Sequence, residues 1–134
     1  MDNYLSTPLG ALVQNPEEED FYLALFVKMP LGVKKLVQST TTAAFLRGLL
    51  KNHRLDENGV YSLSFLVLQV ASGRVKLEQL AGQISSKLSL PNDKAQIIAN
   101  EIVADLFDPI KSELSEFLVQ IGKDVPGIEA EQRA

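Results

Sequence analysis

Between Val75 and Ile121 the chain reads VKLEQLAGQISSKLSLPNDKAQIIANEIVADLFDPIKSELSEFLVQI, and this stretch narrows the possible folds more than any other. It holds three successive helical patterns separated by Pro91 and Pro109. Leu77, Leu80, Ala81, Ile84 and Leu88 form the first apolar stripe. Ala95, Ile98, Ala99, Ile102 and Leu106 form the second, and Ile110, Leu114, Phe117, Leu118 and Ile121 the third. A spacing near 3.6 gives each helix one apolar face that must be buried against a neighbour. The expectation is a single all-α domain, a compact orthogonal bundle of six to seven short helices joined by short loops.

The remaining segments fit the same class. Asn15-Pro16-Glu17-Glu18 opens a helix: Asn15 can cap it, Pro16 suits the first helical position, and the acids from Glu17 to Asp20 favour the positive end of a helix dipole. That helix should bury Phe21, Tyr22, Leu25 and Phe26 and stop near Met29, ahead of Pro30. A shorter one follows over Pro30–Gln38, with Leu31, Leu36 and Val37 inward. The row Ser39-Thr40-Thr41-Thr42 marks a break and a cap. A helix over Ala43–Asn52 turns Ala44, Phe45, Leu49 and either Leu46 or Leu50 inward. Asp56 then caps the next, and Val60–Ala71 is apolar on nearly every face, which marks the central helix. Gly73 suits its C-terminal cap and Gly122 the end of the last helix. The core should contain Phe21, Leu25, Phe45, Leu49, Leu63, Val67, Leu80, Ile84, Ile98, Ile102 and Leu106. Residues 1–15 read as a loose N-terminal arm, 16–122 as the helical domain and 123–134 as a flexible tail.

Composition removes several functions. The chain has 134 residues and no cysteine, so disulfides, thiolate nucleophiles and cysteine-based zinc sites are absent. At this length about two-thirds of the unfolded surface can be buried without such staples. The longest apolar run falls short of the roughly 20 residues a membrane span needs, and the start lacks the pattern of a secretory signal. A cytoplasmic location without membrane attachment is the expectation. Glycines are scattered singly, with no phosphate-binding loop. His53, the single histidine, stands at a helix end, where the dipole accounts for it. Glu101, Asp105 and Asp108 fall at i, i+4 and i+7; such a set can hold a cation, and it is also what a solvated helix face looks like. Neither an enzyme nor a bound cofactor or metal is expected.

Charge is uneven along the chain. The net value is −4, yet Lys28 to Arg54 carries a local +6 with no acid, and Asp93 to Glu116 a local −4. Either the two regions pack together and their fields cancel, or Lys34, Lys35, Arg47, Lys51 and Arg54 form a patch for an anionic partner such as RNA or the ribosome. The overall negative charge and the lack of interleaved aromatics favour cancellation, so nucleic acid is the alternative and not the first partner. The first expectation is a protein-interaction module whose partner is another protein or a second copy. Phe117, Leu118 and Ile121 are its candidate contacts, because a terminal helix needs less apolar surface than this to stay docked.

The pattern Leu90-Pro91, Lys94-Ala95, Ile98-Ala99, Glu101-Ile102, Phe107, Pro109-Ile110 resembles the C-terminal half of small uncharacterised all-helical proteins frequent in candidate-phyla-radiation bacteria. The likeness extends over the helical segments from Ala43 onward. It implies a small bacterial all-α domain and carries over no site residues.

Overall fold

In the computed structural model, which describes residues 7–124, the chain winds around one nearly dry helix. Among the described residues there are seven α-helices and no strand: α1 (Glu19–Lys28), α2 (Leu31–Gln38), α3 (Thr40–Asn52), α4 (Val60–Ala71), α5 (Leu80–Leu88), α6 (Asn92–Ile102) and α7 (Lys111–Asp124). The central one is α4, with the bounds its sequence predicts. Leu63, Leu66, Val67, Leu68, Val70 and Ala71 are all within 1% of complete burial. A helix this apolar can only be stable inside, and α3, α5 and the turn Pro8–Gln14 pack around it. It ends where Gly73 takes φ 84°, a conformation glycine adopts without steric cost.

The amphipathic pair α5 and α6 pack along each other through Leu80, Ile84, Ala95, Ile98 and Ile102, all fully buried. Ser89, at φ 55°, turns the chain between them, and the Ser85 hydroxyl donates to the Leu90 carbonyl at 2.7 Å to hold the corner. Pro91 then precedes α6 as its N-cap residue.

Several expectations are corrected. The segment read as a loose arm contains a 3-10 helix, Pro8–Gln14, entered through Thr7, whose hydroxyl accepts the Gly10 N–H at 3.1 Å. Ala11 and Leu12 of that turn are buried, while Val13 is 81% exposed. The acidic start over Pro16–Glu18 is a separate 3-10 turn, and Asn15 bonds back to Ala11 without capping it. Leu31 points outward, because the inward phase of α2 is Val33, Leu36 and Val37. Ser39 caps α3, which begins at Thr40 and not at Ala43. Helix α7 runs through Gly122 to Asp124; the expected tail beyond it falls at 125–134, outside the described residues.

Of the expected core, Leu25, Leu49, Leu63, Val67, Leu80, Ile84, Ile98 and Ile102 are buried, and Phe21, Phe45 and Leu106 are only half-buried. Phe21 lies under the Arg74 guanidinium, 4.6 Å from its ring centre. Phe45 falls off the inward phase of α3, which runs through Thr42, Ala43, Leu46, Leu49 and Leu50, and Ala44 beside it is exposed. Leu106 is displaced for a different reason. A π-helical turn, Val103–Phe107, follows α6 and adds one residue to the repeat. The stripe therefore steps from Ile102 to Phe107, which is 1% exposed, and Leu106 is left at the surface edge.

Candidate functional site

Phe45 and Leu106, both only partly buried at the edge of the core, line one cleft. It holds about 640 Å³ and lies between α2, the first turns of α3 and the segment 105–110. Leu36, Phe45, Leu106 and Ile110 supply its apolar lining. Lys35, Gln38, Ser39, Thr41 and Asp105 stand around them. The first wall exists because Ser39 restarts the helix directly after α2, its hydroxyl accepting the Thr41 N–H at 3.1 Å. The opposite wall is the π-turn together with the 3-10 turn Asp108–Ile110 forced by Pro109. At one end, Gly32 donates its backbone N–H to the Glu113 carboxylate at 2.8 Å, which ties α2 to α7.

Chemically the cleft is suited to recognition. Its lining contains one acid, Asp105, one cation, Lys35, and neither histidine nor cysteine. An apolar floor with a sparse polar rim of both signs is the make-up of a binding surface. A smaller hollow of about 300 Å³ lies on the other side of the same turn. There Val75, Leu77, Leu114 and Leu118 are surrounded by Lys76, Glu78, Asp108 and Lys111.

The candidate residues distribute as follows. Phe117 and Ile121 are buried in the chain's own core, at 5% and 0%, so the stripe of α7 closes the core there and is not an outward face. Leu118, half-buried, lines the smaller hollow. Lys35 lines the main cleft, and the Lys34 ammonium sits 5.6 Å from the Phe26 ring centre. Arg47 lines another depression beside Glu57 and Tyr61, and Lys51 and Arg54 are exposed near the end of α3.

Glu101, Asp105 and Asp108 do not share a site either. The π-turn breaks their common face, so Asp105 lines the main cleft and Asp108 the smaller hollow. Glu101 Oε2 lies 2.9 Å from His53 Nε2, a contact between the basic and acidic regions. Among the described residues no group of three or more histidine or acidic side chains is placed to hold a metal, and no helix is long and apolar enough to cross a membrane.

Sequence reasoning missed the cleft. Its two walls come from distant parts of the chain, and a fixed 3.6-residue period assigns Phe45 and Leu106 to the interior. No protein-family model, curated protein or solved structure matches this chain.

Proposed function

We propose that this chain is a non-enzymatic helical protein-interaction module that receives a short apolar segment of a partner protein in the cleft between α2, α3 and residues 105–110. The observation carrying this reading is the partial exposure of Phe45 and Leu106 on one open cleft, beside Leu36 and Ile110. Aromatic and aliphatic side chains grouped in a concave site act as anchors, and a handful of them supply most of an interface's affinity. Lys35 and Asp105 at the rim can orient a segment by its charges without setting the affinity.

The test is affinity purification of the tagged chain from its native host, run in parallel with Phe45→Glu and Leu106→Glu. Both variants should keep the helical circular-dichroism spectrum, since both side chains already reach the surface of the cleft. A protein recovered with the parent and lost with both variants supports the reading. A protein recovered equally with all three chains would refute the cleft as its site. Recovery of RNA that falls steeply with salt would instead favour the basic residues as the working surface.

A further inference from the structure

Helix α1 is apolar on two opposite faces, and only one of them is used. Its inward face buries Tyr22 and Leu25. On its outward face Leu23 is 39% and Val27 72% exposed, with Ala24 exposed between them. Asp20 and Lys28 bound the same stripe, both exposed, and neither forms an ion pair among the described residues. At helical spacing residues 20, 23, 24, 27 and 28 fall on one side of the helix, so the stripe runs acid, apolar, small, apolar, base.

That order is self-complementary. Ala24 lies midway between Asp20 and Lys28, which stand about 12 Å apart along the axis. Laying a second copy antiparallel, with a two-fold axis at Ala24, sets each Asp20 opposite Lys28 of the other copy. It also drops each Val27 between Asp20 and Leu23 of the other copy. The alanine at the axis lets the two backbones approach closely. A parallel arrangement would instead oppose acid to acid and base to base. Beside Leu23 a hollow of about 490 Å³, walled by Leu9, Leu12 and Val13, extends this apolar surface. A two-fold interface uses one patch on both partners, which is what a palindromic charge pattern supplies.

We propose that the outward face of α1 is a homodimer face, occupied by α1 of a second copy in antiparallel register about Ala24. One ten-residue helix offers little area, so the association falls at the weak, reversible end of specific interfaces. This surface is separate from the cleft, and the two readings fail independently.

Sedimentation of the full chain from about 10 μM to about 1 mM should show a monomer–dimer equilibrium. Asp20→Lys alone and Lys28→Glu alone should each weaken it about tenfold, because each places two like-charged pairs across the axis. Mixing the two variants in equal amounts should restore dimer, as a heterodimer, since Lys at 20 then meets Glu at 28. The double exchange in one chain should likewise restore the homodimer. Ala24→Arg, on an exposed position that leaves the core untouched, should abolish association. A chain still monomeric at the highest concentration overturns the proposal. So does a dimer that survives Ala24→Arg, or a mixture of the two charge variants that stays monomeric.

Discussion

The carboxylate of Glu113 accepts the backbone N–H of Gly32 at 2.8 Å across 81 positions of chain, so α7 caps α2. Helix α2 needs this help, because its own N-cap, Pro30, offers no side-chain hydrogen bond. Gly32 is also the residue that admits the carboxylate: a Cβ there would lie 2.6 Å from Glu113 Oε1. Glu113→Ala should therefore cost about 1 kcal/mol, the usual worth of a cap. Gly32→Ala should destabilise the parent by displacing the carboxylate, yet stabilise the Glu113→Ala background by about 0.5 kcal/mol through better helix propensity. Urea unfolding of the two single variants and the double variant checks the reversal of sign.

Ser64 is completely buried in α4 and its hydroxyl has no hydrogen-bond partner among the described residues. An unsatisfied buried hydroxyl costs more than a polar group repays, and alanine is the better helix former. Ser64→Ala should raise stability by about 1 kcal/mol, or roughly 3 °C in Tm for a chain of this size. Most core substitutions do the reverse, so a thermal melt showing a lower Tm would mean the hydroxyl contributes something the packing does not reveal.

Much of the fold is legible in the sequence, and the reason can be named element by element. An all-apolar segment such as Val60–Ala71 has one possible location, and its bounds are marked by Asp56 before it and Gly73 after it. The stripes of α5 and α6 are equally plain, because each is regular from end to end. Irregular backbone defeats the same reasoning. A five-residue turn cannot be seen by a 3.6-residue period, so Phe107 and Leu106 exchange places. Residues 8–14, with Pro8 and Gly10 among them, look unstructured until α4 provides a surface for Ala11 and Leu12. The cleft and the Gly32–Glu113 bond are long-range relationships, and no local pattern encodes them.

Phe45 and Leu46 are neighbours in α3 with opposite roles. Leu46 is fully buried, whereas Phe45 is only partly buried and lines the cleft. Leu46→Ala removes packing and leaves a cavity, which should cost about 3 kcal/mol. Phe45→Ala takes away more atoms but from a partly solvated site, and should cost only about 1 kcal/mol. Capture of the partner should follow the opposite order, with Phe45→Ala losing it and Leu46→Ala retaining it wherever the variant is folded. Chemical unfolding and quantitative pull-down of the same two proteins test both halves.

The contact between His53 Nε2 and Glu101 Oε2, an ion pair only with the imidazole protonated, joins the ends of two distant segments at 2.9 Å, with side chains 17% and 41% exposed. A pair this accessible to water is worth little, so Glu101→Gln should change stability by less than about 1 kcal/mol. Whatever change appears should shrink in high salt, where exposed charges are screened. A loss of several kcal/mol would mean that the contact anchors α3 to α6, which its exposure argues against.

The π-turn yields the sharpest contrast between stability and binding. Ala104, within Val103–Phe107, is exposed. Its deletion would place Phe107 four residues after Ile102, the spacing at which an ordinary α-helix keeps both on one face. The core contact of Phe107 would then survive, and stability should stay within about 1 kcal/mol of the parent. Deleting Gln96, which is also exposed but inside regular α6, has no such compensation. It would turn Ile98, Ala99 and Ile102 away from the core by about 100° and should prevent folding. The two deletions differ again at the cleft. Without the wide turn, the segment carrying Asp105 and Leu106 shifts against α2 and α3, so the folded Ala104 deletion should bind the partner at least about tenfold more weakly. Circular dichroism and melting of both deletions, with pull-down of the one that folds, decide the matter: an Ala104 deletion that fails to fold would show that the extra residue serves the core and not the cleft.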